Sequence, residues 1–193
     1  MPGRVKTRLI PALGAGAAAD LHQRLVLRAL DTLIATDVGT VEICCAPDST
    51  HEFFIDCQQR YGIALSEQCA GNLGTRMQDA FRRALSTASK ALIVGADCPS
   101  ITVGDVRGAA SALNDHDAAL IPAEDGGYAL IGATKADPKM FDDIDWGTST
   151  VLNAQRERFR SLGWRVFEGP TRWDVDRPED LARLAELVPP IML

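Results

Sequence analysis

The stretch Ala91-Leu92-Ile93-Val94-Gly95-Ala96-Asp97-Cys98-Pro99 decides the fold class. Its four leading apolar residues are typical of a parallel strand that helices cover on both faces. The glycine and the acidic residue that follow are typical of the strand's end. Ligands of open α/β sheets bind beyond the carboxyl ends of the strands. Asp97 therefore lies where a functional carboxylate is expected.

Strands and helices are predicted to alternate on either side of this stretch. A short β-branched and apolar run predicts a strand over residues 41–46, and apolar residues at helical spacing predict a helix over 17–34. Further strands are predicted over 118–122 and 128–132, and further helices over 49–61, after residue 74, after residue 102, over 151–162 and over 178–187. This order, without repeats or low-complexity linkers, predicts one α/β domain over residues 1–193, with a mostly parallel sheet and helices on both faces.

The composition excludes several classes of protein. The chain of 193 residues is 46% hydrophobic and carries 20 Lys and Arg against 26 Asp and Glu, a net charge of −6, which is ordinary for a globular protein. The acidic balance argues against general binding of nucleic acid or of anionic membranes. The sequence contains no run of about 18 apolar residues, and its first residues lack the apolar core of a signal peptide, so we expect a cytoplasmic protein.

The five cysteines have neither CxxC spacing nor nearby histidines at a zinc-site spacing. They are expected to be reduced thiols that pack in the core. Cys98 is either such a thiol or a nucleophile. The three histidines are scattered and are expected to be surface or packing residues.

A basic loop precedes the first predicted helix. Gly3, Arg4, Lys6 and Arg8 combine a permissive glycine with three cations, of which arginine can bind phosphate oxygens bidentately. The loop is therefore a phosphate-binding loop or, alternatively, a solvated basic segment.

Two acidic positions follow strands or precede a helix. Asp97 could hold a hard divalent cation or simply organise its turn. Asp176 precedes Pro178 and Glu179, so it could cap the last helix, provide a second metal carboxylate, or do both.

Two glycine-containing segments combine close backbone approach with aromatic and hydroxyl groups, which suits recognition of a sugar or an acyl phosphate. Ser149, next to the second segment, could instead cap the following helix. The residues expected to line a substrate site are Asp125, Gly126, Gly127 and Tyr128 with Trp146, Gly147 and Thr148.

Six ordered segments resemble one family: PGRVKTRL (2–9), GNLGTRM (71–77), GADCPS (95–100), EDGGYALIG (124–132), DWGTSTV (145–151) and DVDRPEDL (174–181). They resemble the GT-A-fold nucleotide-diphospho-sugar transferase-like proteins, known as arsenosugar-biosynthesis or radical-SAM-associated glycosyltransferases. These proteins are related to the molybdenum-cofactor and 2-phospho-lactate guanylyltransferases. The resemblance covers nearly the whole chain.

The resemblance implies a Rossmann-like sheet that binds a nucleotide at its carboxyl edge, with Mg²⁺ or Mn²⁺ between phosphates and carboxylates. It implies that Gly3, Arg4, Lys6 and Arg8 contact phosphates, that Asp97 and Asp176 bind the metal, and that residues 125–128 and 146–148 line the acceptor side. Lys6, Arg8 and Asp97 are then the expected catalytic residues. In GNLGTRM, Asn72 and Thr75 replace the acidic residues of the family motif, which removes two negative charges.

Three functions remain open at this point. In the first, a nucleotide-sugar glycosyltransferase, an acceptor hydroxyl attacks the anomeric carbon and a nucleoside diphosphate leaves. In the second, a nucleotidyltransferase, an acceptor phosphate attacks the α-phosphorus and pyrophosphate leaves. The third is a nucleotide-binding protein without catalysis. The partners expected are a nucleotide or nucleotide sugar and a small-molecule acceptor.

A central strand is expected to be missing, because only Met1 and Pro2 precede the predicted phosphate loop. In the family that the chain resembles, an apolar strand comes directly before this loop and pairs between the strands that correspond to residues 41–46 and 92–95. We therefore expect a break in the sheet between these two strands. A start about 8 to 12 residues upstream would supply the strand, and a segment borrowed within a homodimer would be another way to close the break.

Overall fold

The computed structural model, which describes residues 1–192, contains five helices and six short strands. The helices are α1 (Ile10–Thr36), α2 (Glu52–Tyr61), α3 (Leu73–Ala84), α4 (Val103–Ala112) and α5 (Val151–Ser161). The strands are β1 (Glu42–Cys45), β2 (Ala64–Glu67), β3 (Ala91–Val94), β4 (Ala118–Pro122), β5 (Tyr128–Ala133) and β6 (Val166–Glu168). Two 3-10 segments, Thr7–Leu9 and Pro178–Glu186, lie near the ends of the chain. The predicted α/β class is confirmed.

The strands form two separate sheets. One is the parallel pair β1-β2, and the other has the order β3-β5-β4-β6. The sheets are more mixed than expected, because β5 runs antiparallel to both β3 and β4. Only five residues link β4 to β5, and a link this short joins antiparallel strands, whereas parallel strands need a crossover of a dozen residues or more.

Helices cover both faces of the larger sheet, as expected. On β4, Ala118 and Leu120 pack in one core cluster with Phe81 of α3 and Phe159 of α5. The intervening residues Ala119 and Ile121 pack in a second cluster with α4. All five residues of β4 are buried, because a central strand covered on both faces leaves neither set of alternate side chains in water.

The helix starts agree with the sequence at α4 and differ at the last segment. Thr102 and Asp105 form a reciprocal capping box on α4. At the last segment, the prediction that Asp176 caps the helix is wrong. Arg177 is the N-cap residue, and the Asp180 carboxylate accepts from the backbone N–H groups of Asp176 at 3.0 Å and Arg177 at 2.7 Å. The Asp176 carboxylate is thereby left available for another partner.

Candidate functional site

The segment Arg172–Asp176 joins the ends of two strands. The Arg172 N–H donates to the Pro122 carbonyl at 2.8 Å, at the end of β4. Three residues later, the Val175 N–H donates to the Asp97 carbonyl at 2.9 Å, just after β3. This placement brings the DVD sequence of residues 174–176 to the turn that follows β3.

A buried ion pair anchors the start of this segment. The Arg172 guanidinium donates two hydrogen bonds, each 2.7 Å, to the Asp105 carboxylate. The Asp105 side chain is only 5% exposed and also accepts from Thr102. Burial acts to raise the pKa of Asp105, but the hydrogen bonds from Arg172 and Thr102 outweigh it and hold this pKa below its ordinary value. Asp105 therefore stays ionised, and its ion pair with Arg172 holds the start of the segment against α4.

The basic first loop folds back onto the same turn. Leu9 is fully buried and anchors the loop, while Lys6 takes a left-handed backbone conformation with φ 47°. The Lys6 side chain is 7% exposed, and its Nζ donates to Asp97 Oδ2 at 3.1 Å and to the Val175 carbonyl at 2.6 Å. The alternative of a solvated basic segment is therefore wrong for Lys6.

The other residues of the loop are more exposed. Arg8 forms an ion pair with Asp176, in which both side chains remain more than one-third exposed. Arg4 is exposed at the surface, and Gly3 has φ 79°, a left-handed conformation that favours glycine. The loop thus holds one buried cation, Lys6, and two accessible ones, Arg4 and Arg8.

Asp174 belongs to this site, although the sequence pointed to Asp176 instead. Burial, followed by the charges of Asp125 and Asp97, raises the pKa of Asp174 to about 6, and the charge of Lys6 partly opposes the rise. Asp174 therefore lies within the electrostatic field of both Asp97 and Asp125. The signal in the sequence was the alternation in Asp-Val-Asp, which places both acids on the same side of an extended segment.

A histidine of α1 faces the same group. The His22 Nδ1 atom is buried without a hydrogen-bond partner. Burial, and then the charge of Lys6, lowers the pKa of His22 below its ordinary value. The sequence assigned His22 only to packing or the surface, because nothing in its local pattern relates it to Lys6.

The carboxylates of Asp97, Asp174 and Asp176 are suitable ligands for a hard divalent cation that also binds the phosphates of a substrate. Among residues 1–192, no group of three or more Cys, His, Asp or Glu side chains could hold a metal ion unaided. Mg²⁺ commonly uses one or two protein carboxylates together with substrate phosphates, and a cation would relieve the repulsion among these carboxylates. Binding of one cation by Asp97 and Asp176 stays a prediction. In the structure each of these two carboxylates is paired with a cation of the first loop.

The two segments expected on the acceptor side pack against each other. A Cβ at Gly126, where φ is 91°, would overlap the Ser149 carbonyl oxygen, and the Gly126 carbonyl accepts from the Leu152 N–H at 2.8 Å. The segment 125–128 therefore lies directly against the turn before α5. The Asp125 carboxylate accepts a hydrogen bond from the Gly127 N–H at 2.8 Å. Through Asp125, the segment 125–128 contributes a carboxylate near Asp174.

The two aromatic residues of these segments are packed rather than free. The Tyr128 hydroxyl donates to Gln155 Oε1 at 3.3 Å, and burial raises the pKa of Tyr128. The Trp146 ring lies against Gly74 of α3, where an added Cβ would be 2.9 Å away. Both side chains belong to the edge of a core cluster, so substrate contact by either stays a prediction.

Two further positions have structural explanations. Asn72 caps α3 by accepting a hydrogen bond from the Thr75 N–H at 2.9 Å. In this chain, Asn72 of the GNLGTRM segment thus has a structural role.

Burial raises the pKa of the Cys98 thiol to about 11. All five cysteines are free, and the buried Cys98 fits the packing role better than the nucleophile.

Comparison with known proteins places the chain in a family. Residues 29–148 match the family model described as "Uncharacterized protein conserved in bacteria (DUF2064)". The chain belongs to this family. The match includes Asp97 and Asp125 and ends just before α5, so the first loop and the segment 172–176 lie outside it.

A solved structure is similar to this chain over almost its whole length. It is described as a "putative nucleotide-diphospho-sugar transferase" from Desulfovibrio desulfuricans G20, with 31% identity and a TM-score of 0.82. The alignment covers 92% of this chain and 78% of that one. No curated protein matches the chain significantly.

Two more distant structures share the fold alone. CMP:2-keto-3-deoxy-manno-octonic acid synthetase complexed with CTP is 14% identical, with a TM-score of 0.57 over 86% of this chain and 87% of the other. Rv0371c from Mycobacterium tuberculosis H37Rv is also 14% identical, with a TM-score of 0.53 over 84% of each chain. The chain thus shares its fold with these proteins. No helix within residues 1–192 is long and apolar enough to cross a membrane.

Proposed function

We propose that this protein is a transferase that takes a sugar from a nucleotide-diphospho-sugar donor and passes it to a small-molecule acceptor. The observation that carries the proposal is the position of Lys6, a nearly buried cation held between Asp97 and the Val175 carbonyl at the carboxyl end of β3. The similarity to the Desulfovibrio protein over 92% of the chain supports this donor class.

The chain's own cations stabilise the leaving group in this proposal. Lys6 turns from Asp97 towards the diphosphate, and Arg8 and Arg4 bind its more exposed oxygens. When the bond between the anomeric carbon and the diphosphate oxygen breaks, negative charge grows on the departing nucleoside diphosphate. Once they are bound to the diphosphate, these cations stabilise this charge more than they stabilise the intact donor, which lowers the barrier.

The carboxylates serve the acceptor side and the metal. Asp125, oriented by the Gly127 N–H, accepts the proton of the acceptor hydroxyl as that oxygen bonds to the anomeric carbon. Asp97 together with Asp174 is the proposed pair for Mg²⁺ or Mn²⁺, and Asp176 is the alternative second ligand. A bound cation would neutralise part of the diphosphate charge.

Nucleotidyl transfer is the second candidate. The three cations of the first loop favour it, because a departing pyrophosphate carries more negative charge than a departing nucleoside diphosphate. In this case an acceptor phosphate attacks the α-phosphorus of a nucleoside triphosphate, and Lys6 and Arg8 stabilise the departing pyrophosphate.

A product assay separates the candidates. The purified chain is incubated with Mg²⁺ and a panel of nucleoside triphosphates and nucleotide sugars, each with sugar, alcohol and phosphate acceptors, and products are measured by mass spectrometry. Release of a nucleoside diphosphate from a nucleotide sugar supports the proposal, whereas release of pyrophosphate reassigns the activity to nucleotidyl transfer. Binding without either product would reject both reactions and leave a nucleotide-binding protein.

Two asparagine variants identify the second metal carboxylate. Asp174→Asn is expected to abolish the Mg²⁺-dependent part of nucleotide binding, measured by calorimetry with and without Mg²⁺. Asp176→Asn, the matched control, is expected to retain the Mg²⁺-dependent part of nucleotide binding. It loses only the ion pair between residue 176 and Arg8. The reverse result would assign the ligand to Asp176.

A further inference from the structure

One arginine of the last 3-10 segment joins two parts of the site. Arg183 donates from Nη1 to Glu124 Oε2 at 2.7 Å and from Nη2 to Glu124 Oε1 at 3.1 Å. Its Cζ atom lies 4.4 Å from the centroid of the Trp173 ring. Glu124 directly precedes Asp125, and Trp173 directly precedes Asp174. Arg183 therefore links the neighbours of two carboxylates of the site.

Both contacts of Arg183 are of kinds that fix geometry. A guanidinium that binds both oxygens of one carboxylate has its plane and direction set by the two bonds. Its position over the indole ring of Trp173 adds a cation–π attraction. The hydrogen bonds from Arg183 hold the pKa of Glu124 below its ordinary value, so Glu124 is ionised at neutral pH. A lysine at this position could supply the charge but not the planar pair of donors.

The backbone that carries Arg183 is anchored in the core. The next residue, Leu184, is 1% exposed and packs in a core cluster with Leu9 and Val175. The Leu184 carbonyl accepts a hydrogen bond from the Ile191 N–H at 3.1 Å. The guanidinium of Arg183 therefore extends from a fixed point of the fold.

The backbone of Trp173 is fixed as well. The Trp173 N–H donates to Ser100 Oγ at 2.8 Å, and the Ser100 hydroxyl donates to the Trp173 carbonyl at 2.8 Å. Ser100 follows β3 in the same stretch as Asp97. Trp173 is thus bound to the region after β3, and Arg183 connects that region to Glu124.

Asp125 lies in an exposed turn between β4 and β5. Its carboxylate accepts a hydrogen bond from within the same turn, and the Glu124 N–H donates to the Arg172 carbonyl at 2.9 Å. The negative charge of Asp125 acts on Asp174, so repulsion between the two carboxylates favours movement of the turn away from Asp174. The hydrogen bonds of Arg183 to Glu124 oppose this movement.

We propose that Arg183 is a positioning residue of the transferase site. By binding Glu124 while it stacks on Trp173, Arg183 holds Asp125 at a fixed place relative to Asp174. This role rests on the proposed function, in which Asp125 accepts the proton of the acceptor hydroxyl. Since a displacement of about 1 Å at a reacting group can lower a rate about 100-fold, loss of Arg183 affects turnover through Asp125.

Amide hydrogen exchange tests the positioning without turnover. In Arg183→Ala, the Gly127 N–H, which donates to Asp125, is expected to exchange at least about tenfold faster than in the wild type, because local opening of the turn becomes easier. The Ile131 N–H, in the buried part of β5, is expected to exchange at the wild-type rate. Acceleration of both amides by the same factor would show a loss of overall stability only and would overturn the proposal.

Kinetics tests the consequence for the reaction. Arg183→Ala is expected to lower kcat about 10- to 100-fold while the Kd of the nucleoside diphosphate stays at the wild-type value, because the cations of the first loop are unchanged. Glu124→Ala is expected to lower kcat to the same extent. The double variant is expected to lose no more than either single variant, because the two side chains act as one unit.

Arg160→Ala is the matched control. It removes an arginine from an exposed ion pair with Glu157, outside the site. Both kcat and the Kd of the nucleoside diphosphate are expected to keep their wild-type values.

Arg183→Lys separates position from charge. Lysine cannot bind both Glu124 oxygens in one plane, so it is expected to recover only a small part of the lost kcat. Full recovery in Arg183→Lys, or an unchanged kcat in Arg183→Ala, would overturn the proposal. If the wild type forms no product, the proposed function fails. The exchange rate at Gly127 then decides the positioning role alone: faster exchange in Arg183→Ala supports it, and an unchanged rate overturns it.

Discussion

Lys6→Ala is expected to weaken binding of a nucleoside diphosphate while it leaves binding of the corresponding nucleoside nearly unchanged. Lys6 is the one cation of the first loop whose side chain is almost fully buried, and its Nζ is 3.1 Å from Asp97 Oδ2. In the proposed complex this Nζ binds a phosphate oxygen. A nucleoside carries no charge at that position, so it does not depend on the lysine.

The size of the effect follows from the kind of bond that is lost. A hydrogen bond to a charged group contributes about 1.5–3 kcal/mol, which corresponds to a loss of about 10- to 150-fold in affinity at 1.4 kcal/mol per tenfold. The cost to folding is smaller. Asp97 is 47% exposed, so water can replace the lysine at this carboxylate once the Lys6 side chain is removed.

Calorimetry with UDP, GDP and CDP and with their nucleosides measures the effect, at about 50 and 200 mM salt. The wild-type preference for the diphosphate is expected to shrink at high salt because screening weakens the charge interaction. Lys139→Ala is the matched control, because Lys139 is an exposed lysine far along the chain in the segment after β5. Equal loss for diphosphate and nucleoside, or no loss for either, would refute the role of Lys6 in phosphate binding.

Three other predictions follow from single contacts. Asp105→Asn is expected to destabilise the fold by about 2–4 kcal/mol at pH 7 because it leaves the Arg172 charge without its partner. Because the pKa of Asp105 is lowered in the folded state, its ionised carboxylate stabilises the fold at pH values above the unfolded-state pKa. This contribution is lost as pH falls through the folded-state pKa. The difference in unfolding free energy between wild type and variant, measured by urea unfolding, should therefore be smaller at pH 3. Gly126→Ala is expected to cost about 2–4 kcal/mol in the same assay, because its Cβ would overlap the Ser149 carbonyl and its φ of 91° disfavours alanine; a neutral substitution would contradict the packing of the two segments. Cys98, whose pKa burial raises to about 11, should react with iodoacetamide only after unfolding, and rapid labelling of the native chain, seen by mass spectrometry, would contradict this.

Local patterns in the sequence were sufficient to place most of the elements. The apolar run before Gly95 folds as β3, and the helical spacing after Gly74 folds as part of α3. The capping box of Thr102 and Asp105 forms as the spacing predicts. Each of these features depends on residues within about four positions of each other, so the local sequence carries the information.

The sequence also determined that the region after β3 and the basic first loop carry the charged groups of the site. Only the tertiary structure decided how these groups combine. Lys6 reaches Asp97 across 91 positions in the chain, and Asp174 comes into the field of Asp97 and Asp125 because the Val175 N–H is bound by the Asp97 carbonyl. Asp174 lies near Asp97 and Asp125, whereas Asp176 pairs with the exposed Arg8. These neighbours are set by hydrogen bonds to distant strands, and a local pattern holds no information about partners so far away in the chain.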